Sequence, residues 1–126
     1  MWQTFYLAGV LLTRKMTTKP MQNSPWKVLS SHISVGVLSE GWQLNAADPA
    51  EDATRCYQVE VSFDTPFISP PVVHLGLTGF DIDQRDSPRL TLQAENITPT
   101  GFFATIATWA DTRVYSASFQ WMAIGG

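Results

Sequence analysis

Two histidines, His32 and His74, and one thiol, Cys56, are the whole inventory of soft ligands and strong nucleophiles in this chain. A structural zinc site takes four Cys or His ligands and a catalytic one takes three, so no such cluster is expected, and neither is any other metal or cofactor. No phosphate-binding glycine loop, dinucleotide fingerprint or nucleophile elbow occurs. Asp81-Ile82-Asp83-Gln84-Arg85-Asp86 has a faint calcium-loop look, but it lacks the glycine and the closing glutamate of an EF-hand. It reads as a solvated acidic turn. What remains suits holding a polar molecule rather than transforming it. Asp52 and Arg89 offer an acceptor and a donor, and Trp109 and Tyr115 stand in an aromatic C-terminal third with Phe102, Phe119 and Trp121. Each also has a plain reading. Asp52 tightens the loop before the next strand, Arg89 after Pro88 is a strand-edge charge, and Tyr115 lies either at the core edge or on a site wall.

The elements that must position these residues are strands. From Trp26 onward the apolar period is two. Tyr57, Val59, Val61 and Phe63 alternate with Gln58, Glu60 and Ser62, as in a half-buried strand. Pro70-Pro71 interrupts, since proline cannot donate to a ladder. Further strands are expected at His32–Val37, from Val72 to Gly79, from Leu90 to Glu95, at Phe102–Trp109 and at Val114–Ile124. Asn96 to Gly101 reads as a turn started by Pro99. Trp109 falls out of phase with Phe102, Ala104 and Ile106, so it faces outward or a subunit contact. Phe119 and Trp121 read as core or subunit interface, and Trp42 as core. The fold class expected is all-β: a six-stranded antiparallel β-sandwich.

Composition agrees with one domain of 126 residues, 44% hydrophobic and only 15% charged. A net charge of −3 with eight scattered basic residues gives no electrostatic footprint for nucleic acid. A single cysteine rules out an intrachain disulfide. It leaves open a reducing compartment or a disulfide-free exported protein. Residues 1–25 read as an N-terminal leader or arm, and residues 26–126 as the folded domain. Phe5 to Leu12 is apolar but too short to span a bilayer, which takes about 20 residues, so no membrane insertion is expected. It is also a poor signal peptide, because no basic residue precedes the run and Arg14-Lys15 follow it. Localisation is therefore undetermined, with the low surface charge pointing to an extracellular or surface-exposed setting.

An ordered set of landmarks resembles the H-type lectin family, the type of the snail agglutinins and of the discoidin C-terminal domain. The landmarks are Gly41-Trp42, Asp48-Pro49-Ala50-Glu51-Asp52-Ala53-Thr54-Arg55, Val61-Ser62-Phe63, Pro70-Pro71-Val72-Val73, Asp81, Arg89, Pro99-Thr100-Gly101-Phe102, Thr108-Trp109, Val114-Tyr115-Ser116 and Trp121. No one of these is diagnostic; the order and spacing are. The resemblance implies a six-stranded sandwich that forms a homotrimer or a hexamer. It implies binding of galactose or N-acetylgalactosamine glycans at subunit seams, as in cell adhesion, without chemistry on the sugar. The family's carbohydrate-binding positions fall on Ala50 (through its backbone), Asp52, Arg89, Trp109 and Tyr115. A carboxylate that accepts and a guanidinium that donates suit vicinal hydroxyls, and aromatic rings suit the C–H face of a sugar.

The chain departs from the family at several points. Ala50 and Ala110 stand where the agglutinin type has a glycine and often a polar residue, and the agglutinin disulfide positions hold Val35 and Ile106. The interchain cysteine position holds Ile68, and Arg55 reads as structural, partnering a carboxylate between subunits. An enzyme is not expected, because glycoside hydrolysis wants two flanking carboxyl groups and Asp52 has no acidic partner in sight. The alternative function is a trimeric structural or tip domain of a larger particle or fibre, attached through the N-terminal arm.

Overall fold

Six strands, all antiparallel, account for the regular structure of the computed structural model, which describes residues 25–46 and 53–126. They are β1 (Lys27–Gly36), β2 (Arg55–Ser62), β3 (Val72–Ile82), β4 (Thr91–Thr98), β5 (Gly101–Thr108) and β6 (Val114–Gly125). β1, β6 and β3 form one sheet in that order, and β2, β5 and β4 form the other. The more apolar strands β5 and β6 are thus the centres of the two sheets, and the less apolar strands are edges. Residues 1–24, nearly all of the expected arm, lie outside the described residues, as do Ala50 and Asp52.

Alternation explains the core. Phe102, Ala104, Ile106 and Thr108 of β5 are buried, and so are Ala117, Phe119, Trp121 and Ala123 of β6. Phe63 meets Phe67 edge-on, with ring centroids 5.1 Å apart, and meets Trp121 at 5.7 Å. Phe102 also meets Trp121 edge-on, at 5.5 Å. Such tilted and edge-on pairs set the positive ring edge against the negative face of the neighbour. Phe119 and Trp121 are therefore core. Trp42 is half-buried against the core, 5.2 Å from Tyr57, and its Nε1–H donates to Val114 O at 3.0 Å.

Two loops close the sandwich. The ammonium of Lys27 donates to Thr65 O, Thr65 Oγ1 and Pro66 O at 3.2, 2.8 and 2.6 Å. It also sits 4.6 Å from the centre of the Phe67 ring. This pins the start of β1 to the segment after β2. At the β4–β5 turn, a Cβ on Gly101 would lie 2.2 Å from Val61 O, so only glycine lets β5 start that close to β2.

The structure departs from the alternation in three places. β1 starts at Lys27 rather than His32, because Val28 and Leu29 are adjacent and the Ser30-Ser31 pair after them interrupts the apolar alternation on this edge strand. β4 runs through Asn96-Ile97-Thr98, read above as turn. A register shift there is accommodated by Asn96 at φ 52°, a left-handed conformation asparagine tolerates. Two residues are extra in the β3–β6 ladder: Thr78 on β3 and Tyr115 on β6. No helix among the described residues is long and apolar enough to cross a membrane.

Candidate functional site

The β5–β6 connection is a tight turn of Trp109, Ala110, Asp111 and Thr112, closed by Thr112 N–H donating to Trp109 O at 3.4 Å. Ala110 takes φ 58°, a left-handed conformation that costs an L-residue about 1–2 kcal/mol. That conformation survives because its carbonyl is held. Arg55, at the start of β2, donates from Nη2 to Ala110 O at 2.9 Å and to Thr112 O at 2.8 Å. From Nη1 it donates to Leu44 O at 3.0 Å. Arg55 is structural, as its type suggested, but it caps three carbonyls of its own chain.

Arg89 is brought to this turn. Its Nη1 donates to Asp111 Oδ1 at 2.9 Å and to Thr112 Oγ1 at 2.8 Å. Thr112 is fully buried and passes its own hydroxyl proton to Ser87 O at 2.6 Å. Thr108, also buried, donates to Arg89 O at 2.6 Å. Both ends of Arg89 are thereby fixed, the side chain by the turn and the carbonyl by the last residue of β5. Trp109, 37% exposed and just past the end of β5, leaves the core phase as its position after Ile106 and Thr108 predicted. Asp111 and Thr112 were legible in sequence only as the end of a turn. What singles them out is a partner some twenty residues away.

Tyr115 belongs to a second cluster. Val114 and Ala117 are both buried, so the bulge between them turns Tyr115 away from the strict alternation. Its hydroxyl donates to Asp83 Oδ2 at 3.2 Å. Gly36 is required opposite, since a Cβ there would lie 2.6 Å from Tyr115 O. Asp83 also accepts from Arg85 Nε and Nη2 at 2.9 and 2.7 Å, and Asp86 accepts from Arg113 Nε and Nη2, each at 2.9 Å. The acidic segment is therefore an ion-paired clamp, not a solvated turn. Among the described residues no three His, Cys, Asp or Glu side chains converge to hold a metal ion. Among the described residues no hydrogen bond or ring contact joins Tyr115 to Arg89 or Trp109.

The structure thus joins Arg89 to the Trp109–Thr112 turn and places Tyr115 apart. Ala50 and Asp52 are not among the residues it describes. Arg55→Met keeps the length of the side chain and removes its donors. It should cost about 2–4 kcal/mol in urea unfolding, because Ala110 O and Thr112 O lose their partner and Leu44 O keeps only Val114 N–H. A loss under about 0.5 kcal/mol would show that water replaces the guanidinium.

Acid should act on the second cluster. Hydrogen bonds from Arg85 hold the Asp83 carboxyl well below the usual carboxylate range, and those from Arg113 lower Asp86. The same pairings raise Arg85 and Arg113. The unfolded chain therefore binds these protons first, at about pH 4. The stability that the carboxylates contribute is complete above that pH and is lost as pH falls through their lower folded values. Melting temperatures of Asp86→Asn should lie below the parent's at pH 7 and fall less steeply between about pH 4 and pH 2. Parallel curves would contradict this account.

The family model for the H-type lectin domain matches residues 58–124. The protein "ATP synthase subunits region ORF 7" of Fuscovulum blasticum is 42% identical over 71 residues, 56% of this chain and 62% of that protein. Discoidin-2 of Dictyostelium discoideum is 31% identical over 94 residues, 73% of this chain but 35% of its own length. The chain thus spans under two thirds of either relative. Two structures of discoidin II from the same organism superpose with TM-scores of 0.65 and 0.66 at 26% identity. They cover 80% and 81% of this chain and 37% and 38% of theirs. With the family model covering more than half of the sequence, and the fold matching a discoidin over four fifths of it, this chain belongs to the H-type lectin domain family.

Proposed function

We propose that this domain binds galactose or N-acetylgalactosamine-type glycans, without acting on them chemically, at sites between subunits of a trimer or hexamer. The observation that carries the reading is the anchored guanidinium of Arg89. It is fixed by Asp111 and Thr112, side chains of the turn that opens with the part-exposed Trp109. In this reading Asp52 supplies the acceptor for the same hydroxyls and the Ala50 backbone lies alongside. Tyr115 comes from a neighbouring protomer, which accounts for its separation from Arg89 within one chain.

Exposed apolar side chains support such a neighbour. Leu77 and Phe80 of edge strand β3 are 43% and 55% exposed on a chain poor in charge, and closed cyclic symmetry is the usual way to cover such a surface. A second reading, a tip domain of a larger particle, draws on a different surface. Val28 and Val72 both pair with Ile124 across three strands, and with Trp26 they form an exposed apolar row where the arm enters the fold.

Monovalent titration with galactose and N-acetylgalactosamine tests the first reading. Asp52→Ala, Arg89→Ala and Trp109→Ala should each weaken binding about ten-fold or more, the loss expected from a charged hydrogen bond or a packed ring. If Asp52→Ala and Arg89→Ala both fold and bind as the parent does, the site is elsewhere. Sedimentation should give a trimer or its multiple, and a chain lacking residues 1–25 should still bind sugar. Loss of both sugar binding and assembly in that truncation would favour the arm-attached tip.

A further inference from the structure

A guanidinium beside an aromatic ring is not by itself selective for neutral sugars. Its parallel N–H pair fits a carboxylate at least as well as two hydroxyls, and the carboxylate brings opposite charge. The geometry at Arg89 bears on this choice. Nη1 carries two hydrogens, and both are spent, one on Asp111 Oδ1 and one on Thr112 Oγ1. The edge left without a protein partner among the described residues is the one formed by Nε–H and Nη2–H, the fork that takes two adjacent oxygens. Asp111 therefore does two things. It fixes which edge of the guanidinium faces outward, and it cancels the positive charge at 2.9 Å.

The Asp111 carboxylate is itself half exposed, with a side-chain accessibility of 54% against 29% for Arg89. Its Oδ1 accepts from Nη1, on the side of the guanidinium away from the free fork, so Asp111 cancels the charge without covering that edge. A donor edge whose charge is already cancelled still donates to hydroxyl oxygens. It offers a carboxylate, sulfate or phosphate group little charge attraction, and the Asp111 carboxylate opposes such an anion. The rest of the surface offers such an anion little else. The other four basic side chains among the described residues are Lys27, Arg55, Arg85 and Arg113, and each is held by carbonyls or carboxylates of its own chain.

We propose that Asp111 is the specificity-determining residue of this site. It holds Arg89 as one half of a neutral donor–acceptor pair, and it makes the site select uncharged vicinal diols against uronic acids and other anionic sugars. This rests on the reading of Arg89 as a sugar-binding residue, and the two fail differently. Asp111 lies in an exposed turn, its backbone held by its neighbours, so its variants should fold.

The experiment is calorimetric titration of the full chain, Asp111→Asn and Asp111→Ala with methyl galactoside and with galacturonic acid, in buffer of low ionic strength. The parent should prefer the galactoside by about ten-fold or more. In both variants the galactoside should weaken and galacturonate should strengthen, so that the ratio falls about ten-fold or inverts. The galacturonate gain should shrink in 0.5 M salt, since screening acts on charge and not on diol hydrogen bonds. A parent ratio carried unchanged into both variants overturns the role of Asp111 while leaving the lectin reading intact. A parent that prefers galacturonate also overturns it. A parent that binds neither sugar overturns both.

Discussion

Three carbonyl oxygens converge on one side chain, Arg55, and most of what positions the candidate site depends on that convergence. Leu44 O belongs to the loop after β1, and Ala110 O and Thr112 O belong to the turn between β5 and β6. Neither segment is in a ladder at that point; Leu44 O also accepts from Val114 N–H of β6 at 2.8 Å, while Arg55 bonds both turn carbonyls. A lysine has three donors on one flexible centre, whereas a guanidinium spreads its donors over a rigid plane. Only the latter reaches both segments from one fixed position on β2. The left-handed Ala110 is a consequence. Its conformation is costly, and it persists where the surrounding bonds over-determine it.

From that turn, order passes outward through hydroxyls. Thr112 is buried, accepts from Arg89 and donates to Ser87, while Thr108 ties down the Arg89 carbonyl. The next residue, Arg113, is bound to Asp86, and Asp83 N–H bonds back to Arg113 O at 3.0 Å. The whole β3–β4 connection is thus laced to one turn by side chains of alternating function. Interior bonds of this kind contribute modestly one at a time, about 1 kcal/mol. Leaving a partner unsatisfied costs more, which is why removal of Arg55 reaches further than its own contacts.

The sandwich itself was legible in the sequence, and the reason is local. Period-two alternation records which face of a strand is buried, and β5 and β6 are central strands with one face in the core. That is enough to place Phe102, Ile106, Phe119 and Trp121 inside and Trp109 outside. The same logic fails wherever a residue is inserted into a ladder. Tyr115 is such an insertion, and its phase after Val114 cannot be read without knowing that Ser116 pairs with Asp81. The partners of Asp83, Asp86 and Arg89 were illegible for a different reason. Asp86 meets Arg113, and Arg89 meets Asp111, across more than twenty residues of chain. An acidic turn looks alike in sequence whether water or arginine neutralises it. The resemblance in landmarks named Arg89 as a site residue but carried no statement of what would hold it. Asp52 and Ala50 rest on that resemblance, since neither is among the described residues.

Scarcity of charge connects these points. A chain with 15% charged residues has few ions to spend, and the described part spends its cations on its own carbonyls and carboxylates. Such a surface has little long-range field to draw in a charged partner. In the proposed reading, recognition comes instead from short-range complementarity between paired donors and acceptors and the hydroxyls of the sugar. One site of this kind binds weakly, because exchanging water for sugar hydroxyls gains little per bond. Several sites held at fixed spacing bind a dense glycan surface far more tightly than any one of them, with no new contact. In the proposed reading the exposed apolar side chains of β3 would supply number, and the Arg89–Asp111 ion pair would supply choice.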